Sequence, residues 1–340
     1  MAFYEFFTRV EAGQSLTRDE MTAAIDLCMR GEVPDDEMGR FLLALRAKGE
    51  AVEEIAGAAL AMRRHMTRIH SPPAGALDTC GTGGDASGTF NISTAAALAI
   101  AACGVPVAKH GNRSITSKSG SADVLAALGV KIDAPLPVVE RCLTKAGIGF
   151  CFAPLFHPAM QRVGAVRRRL GVPTIFNLLG PLCNPASAPF QLLGVGRREL
   201  HGTMAAALRL LAPRRAAVVS GSDGLDEVTL TGPTNVWLVT AESTTAVEWS
   251  PADFGLRPVP TLEAVRVDGP EASAALIQRV LRGEPGPARD LVVLNAAAGL
   301  WVAGFRESLA ECASAAADAI DSGAALHRLD QFAAISHESP

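Results

Sequence analysis

The hydrophobic rhythm of the chain changes near residue 75. Before that point apolar side chains recur at helical spacing. A helix is predicted over 16–29, with Thr17 as N-cap and Glu20 three residues on, a capping-box pattern. A second runs over 35–48, with Met38, Phe41, Leu42 and Leu45 on one face, and a third over 52–65. Ser71-Pro72-Pro73 reads as a linker. Beyond it, short apolar runs alternate with amphipathic stretches. Strands are predicted at 76–79, 105–109, 148–153, 191–195 and 216–220. Helices are predicted at 92–103, 121–128, 137–146, 158–170 and 199–211, with 175–179 extending the helical patch. The runs 228–230, 236–240 and 245–249 look like a more antiparallel set, and helices return from Asp290. This pattern predicts an α/β protein: a small, mostly helical N-terminal domain and a larger α/β domain with a mainly parallel central sheet.

Composition narrows the picture. Apolar residues make up 49% of 340, enough for a substantial core. A net charge of −4 gives no footprint for nucleic acid or an anionic membrane. The seven cysteines form no CxxC pair and read as reduced thiols, so a cytoplasmic location is expected. The apolar stretch 95–107 is broken by Gly104 and Pro106 and falls short of the ~20 residues that span a bilayer.

Two glycine-rich polar loops stand out between Leu77 and Gly129. The first is Gly81, Thr82, Gly83, Gly84, Asp85, followed by Asn91, Ile92, Ser93 and Thr94 at a helix start. The second is Lys109, His110, Gly111, Asn112, Arg113, followed by Ser114, Ile115, Thr116 and Ser117. Such loops aim backbone N–H groups and a helix dipole at an anion. Two of them together suit a sugar with two separated phosphates. Blander readings exist for each: Asn91 as a plain N-cap, Lys109 as a solvated charge, Asp226-Glu227 as a turn cap.

GTGGD, NIST, KHGNR and GSAD, in this order and spacing, resemble the anthranilate phosphoribosyltransferase family. HPAMQRVGAVR, NLLGPLCNP and GSDGLDE further along extend the resemblance over nearly the whole chain. It implies a nucleoside phosphorylase/phosphoribosyltransferase-like fold, with a helical domain of 1–70 joined by 157–185, an α/β domain of 71–340, and a homodimer. It implies transfer of the phosphoribosyl group of 5-phosphoribosyl 1-diphosphate (PRPP) to the amine of anthranilate, with magnesium. The PRPP contacts it implies are Gly81, Gly83, Gly84, Asp85, Thr89, Asn91, Ile92, Ser93 and Thr94 in the first loop region. In the second they are Lys109, His110, Gly111, Asn112, Arg113, Ser114, Ile115, Thr116, Ser117 and Ser121. Gly81, Asn112 and Arg167 are the implied anthranilate contacts; Ser93, Asp226 and Glu227 are the implied magnesium ligands. The sequence departs from the family in having Pro173 where Arg is usual, and Ile115-Thr116 where a smaller pair is usual. A pyrimidine nucleoside phosphorylase and a non-catalytic nucleic-acid-binding paralogue are the alternatives. KHGNR beside NIST opposes the first; the −4 charge and the Asp226-Glu227 pair oppose the second.

Overall fold

The structure, a computed structural model, describes residues 2–114 and 118–339. The implied contacts Ile115, Thr116 and Ser117 lie outside the described residues. Among the described residues seven strands form one sheet: β1 (Leu77–Gly81), β2 (Val107–Gly111), β3 (Ile148–Phe152), β4 (Phe190–Gly194), β5 (Arg215–Gly221), β6 (Thr234–Val239) and β7 (Thr244–Trp249). Their order is β3-β2-β1-β4-β5-β6-β7. The first five in that order are parallel; β6 and β7 add antiparallel. The chain moves outward from β1 to β3, then returns to lay β4 on the other side of β1. That reversal opens a crevice at the carboxyl ends of β1 and β4, where Gly81 pairs with Gly194.

Strand alternation divides the core in two. Leu192, Ala217 and Val219 face one apolar cluster with the helices Ile92–Ala102 and Pro287–Val302. Leu193, Ala216 and Val218 face the other, built from the N-terminal helices. Val163, Val166, Phe176, Leu179 and Leu182 join that second cluster from far along the chain.

The N-terminal helices are Ala2–Glu11, Arg18–Arg30, Asp35–Lys48 and Val52–Arg64; the first of them is not delimited by the sequence pattern. The Thr17 box forms: its hydroxyl accepts from Glu20 N (3.3 Å) and the Glu20 carboxylate accepts from Thr17 N (2.8 Å). Three expectations need correction. First, 228–230 is not a strand. It is buried like one, but the Asn295 side chain bonds Val228 N and O in place of a neighbouring strand. Second, β2 starts after Pro106, which has no N–H to give, and runs on to Gly111. Lys109 is therefore inside a strand rather than at its end. Third, 199–211 splits into a 3-10 turn, Arg198–Leu200, and the helix His201–Leu210.

Candidate active site

The first loop leaves β1 at Gly81 and closes with Gly83 (φ 69°) and Gly84 (φ 78°) in the left-handed region. Ala86 shares that region at φ 55°, a conformation uncommon outside glycine. The Asp85 carboxylate accepts from Ser87 N at 3.3 Å, and Thr89 meets the Ser87 hydroxyl at 3.0 Å. Asp85 thus orders the loop. The helix Ile92–Ala102 follows with no side-chain cap. Asn91 is engaged elsewhere: its Nδ2 donates to Ser119 O (3.0 Å), and its Oδ1 accepts from the Ser119 (2.7 Å) and Ser273 (2.8 Å) hydroxyls. It ties the first loop to the second. Ile92 is buried in the core, so only its main chain faces the loop. Thr94 is buried with Oγ1 free of a protein partner.

Asp226 and Glu227 reach this loop from the segment after β5. The Asp226 carboxylate accepts from Gly83 N, and that of Glu227 from Ser93 N, both at 3.0 Å. Two N–H groups suited to phosphate thus hold carboxylates in this state. Burial pushes the Asp226 carboxyl up to about 7, and the charge of Asp85 adds to the rise. Burial pushes Glu227 up to about 8; Asp226 adds to that and Lys109 opposes it. Among the described residues no three His, Cys, Asp or Glu side chains form a metal-holding group. The pair nevertheless fits magnesium, which takes one or two carboxylates and completes its shell with phosphate and water. Hard oxygen donors that repel one another are stabilised by a cation between them.

Lys109 is buried beneath this pair. Its ammonium donates to Thr79 O (2.6 Å) and Ser93 Oγ (3.2 Å). Burial lowers its pKa, while the charges of Asp78 and Glu227 oppose the fall. β1 and β2 pair at Leu77↔Val107. Further along, side chains link them: Lys109 on Thr79 O, and Asp78 Oδ1 accepting from His110 N at 3.2 Å.

Asp123 organises the second loop. Its Oδ2 accepts from Ser114 N (2.9 Å) and Gly120 N (3.1 Å), and its Oδ1 from Arg113 (3.0 Å). Asn112 is exposed and accepts from Arg113 N at 2.8 Å. Gly111 makes room for Ser121, whose hydroxyl donates to Asn112 O at 3.5 Å. His110 is buried, with Nδ1 3.0 Å from Gly180 O and Nε2 3.1 Å from His157 Nε2. This joins the loop to the 157–185 segment. On that segment Arg167 donates to Asn177 Oδ1 (3.1 Å) and lies over the Phe176 ring (6.0 Å). Its neighbour Arg169 pairs with Asp36, and Arg168 is exposed; Arg167 is half-buried, and desolvation lowers its pKa. Pro173 gives its carbonyl to Arg46 at 3.1 Å.

Sequence reasoning missed Gly194, Gly196 and Asp123. A Cβ at Gly194 would collide with the Asp226 carbonyl, and one at Gly196 would come within 2.9 Å of Asp85 Cβ. The Gly-Val-Gly at the end of β4 was the available signal; for Asp123 it was the acid in GSAD.

Residues 4–66 match the family described as glycosyl transferase family, helical bundle domain, and 74–326 match its a/b domain. An anthranilate phosphoribosyltransferase of Rhodopseudomonas palustris is 49% identical over 335 residues, 98% of each chain. One from Rhodospirillum rubrum is 52% identical over 326 residues, 96% of this chain and 93% of that one. The crystal structure of the Thermus thermophilus enzyme superimposes with a TM-score of 0.89 at 42% identity, covering 98% of this chain and 99% of that one. The Saccharomyces cerevisiae enzyme, in complex with PRPP and Mg, gives a TM-score of 0.88 at 30% identity, covering 98% and 97%.

Proposed function

We propose, from the premise that this chain belongs to the anthranilate phosphoribosyltransferase family, how its own residues carry out that family's transfer. The phosphoribosyl group of PRPP passes to the anthranilate amine and diphosphate leaves. The observation that carries this reading is the convergence of the Gly83 and Ser93 N–H groups, Asp226 and Glu227 at one helix start. The first loop and the helix Ile92–Ala102 receive the diphosphate; Asn112, Arg113, Ser114 and Ser121 flank the ribose phosphate from the second loop. Asp226, Glu227 and the Ser93 hydroxyl would hold magnesium, which when bound offsets charge on the diphosphate. Lys109 adds positive potential from below rather than by direct contact. Arg167 pairs with the anthranilate carboxylate, and Gly81 and Asn112 complete that side. The C1–O bond breaks as the amine nitrogen bonds to C1 from the opposite face, and the amine proton passes to water. The work is positioning and charge stabilisation.

The reading extends to organisation. The division into 1–70 with 157–185, and 71–340, is supported by the apolar cluster the two helical stretches share. Exposed Tyr4 (70%) and Leu43 (41%) on the N-terminal helices support a homodimer through that face. The seven free cysteines support a cytoplasmic setting, and no helix of the described residues is long and apolar enough to cross a membrane. The test is diphosphate release from PRPP with and without anthranilate. Release that depends on anthranilate and magnesium is expected; release driven by a pyrimidine base, or none, overturns the reading.

A further inference from the structure

We propose that Asn295 is a positioning residue for the Asp226-Glu227 carboxylates, acting through the peptide groups of Val228. The helix Pro287–Val302 is otherwise apolar where it faces the core; Leu291, Val292, Leu294, Ala296 and Ala298 are all buried. In their midst Asn295 is wholly buried. An unbonded carboxamide there would be strongly destabilising. Asn295 bonds fully instead. Its Oδ1 accepts from Val228 N at 2.9 Å, and its Nδ2 donates to Val228 O (2.9 Å) and Leu291 O (3.0 Å). The two bonds to Val228 imitate the paired bonds of an antiparallel ladder. They fix one residue of a long loop from both of its polar groups.

That residue directly follows Glu227. With Val228 pinned, the Glu227 Cα has little freedom, and its side chain reaches Ser93 N. The opposite side of the loop has its own brace. Asp223 Oδ2 accepts from the Thr229 and Thr231 hydroxyls, each at 2.7 Å, and its Oδ1 from Leu225 N at 3.2 Å. The carboxylates thus project from a loop held at both flanks. A plug that only filled the core would need no bond to Val228. Losing a group that orients a metal-binding side chain typically costs about 10–100-fold in metal affinity.

The inference rests on the reading that Asp226 and Glu227 hold magnesium. Three full-length variants separate the two: Asn295→Ser, Asp223→Asn and the double change Asp226→Ala with Glu227→Ala. Calorimetry of PRPP binding across a magnesium titration is the first readout. Hydrogen exchange over 221–231 in metal-free protein is the second, and the KM for anthranilate the third. Asn295→Ser should raise the magnesium needed for half-maximal PRPP binding about 10–100-fold. It should also lose protection at Val228 and leave the anthranilate KM within about twofold, since Arg167 lies on another segment. Asp223→Asn, at an exposed position, should give a smaller shift of the same kind. Wild-type magnesium dependence in Asn295→Ser, or an equal change in the anthranilate KM, overturns the inference. If Asn295→Ser fails to fold, Asp223→Asn decides: unchanged magnesium dependence and protection reject the clamp. If the double variant keeps its magnesium dependence, the metal reading itself falls. If the double variant loses it and Asn295→Ser does not, only the role of Asn295 falls.

Discussion

The two sides of the proposed site have opposite electrostatic deficits. Around the first loop, the charges of Asp78, Glu227 and Asp226 act on one buried ammonium, Lys109, and Asp85 adds its charge beside Asp226 and Glu227. Desolvation raises both the Asp226 and Glu227 carboxyls; the charge of Asp85 adds to the first, and that of Asp226 to the second. On the helical side, Arg167 is half-buried with Asn177 and Phe176 as its partners, and burial lowers its pKa. The first side lacks positive charge and the second lacks negative charge. A dication with a polyanion suits the first; a monocarboxylate suits the second. Each deficit describes the ligand that would relieve it.

The sharpest way to break this comparison is to remove the acids. Replacing both Asp226 and Glu227 by Ala should lower kcat/KM on the order of a thousandfold. The metal-free fold should persist, because the pair is destabilised by its own burial. Steady-state kinetics with circular dichroism checks both halves. Retained activity with unchanged magnesium dependence would place the cation elsewhere.

Removing the cation on the other side should act on one substrate alone. Arg167→Ala is expected to raise the anthranilate KM roughly tenfold to hundredfold, the worth of a charge-assisted contact. The PRPP KM should stay within about twofold. Equal effects on both substrates would erase the division between the sides.

Local chemistry was legible wherever a motif and its structure lie within a few residues of each other. The Thr17–Glu20 box, the turn at Gly83-Gly84 and the helix after Asn91 all belong to that class. Contacts made across the fold were not. Residues 228–230 have the composition of a buried strand, but Asn295, 67 positions beyond Val228, takes the place of a neighbouring strand. Asn91 has the composition of a cap, but Ser119 and Ser273 claim its side chain. Lys109 sits beside polar loop residues in sequence, yet β2 carries it inward under Ser93. A single sequence shows which groups are present; it does not show which distant group has already bonded them.

A smaller effect is expected from the glycine between the two halves of the first site. Gly194 faces the main chain of Asp226 so closely that a Cβ would collide with its carbonyl. Gly194→Ala should cost about 1–3 kcal/mol by overpacking, read as a lower urea midpoint. It should also weaken PRPP binding, because relief of the clash moves Asp226. A variant with normal stability and normal PRPP binding would show that the loop has slack, and that its carboxylates are not held in place.

The smallest predicted effect separates the two sides by the sign of their pH dependence. Burial pushes the Asp226 and Glu227 carboxyls up, so the folded state holds protons that the unfolded chain releases above the ordinary carboxylate range. Their contribution to stability falls as pH rises toward 8. Burial pushes His110 down to about 3 and His157 to about 4, from an ordinary 6.5. The unfolded chain takes up protons below pH 6.5 that the folded pair refuses, so this contribution is lost as pH falls. The two slopes oppose each other in the wild-type protein, and its total pH dependence does not separate them. His157→Gln does. At pH 5.5 one refused proton is worth about 1.4 kcal/mol. On going from pH 7.5 to 5.5 in metal-free protein, the variant should therefore lose about that much less stability than wild type, read from urea midpoints. Identical changes in the two proteins would mean that His157 takes up its proton in the folded state, and that its buried place beside His110 accommodates a cation.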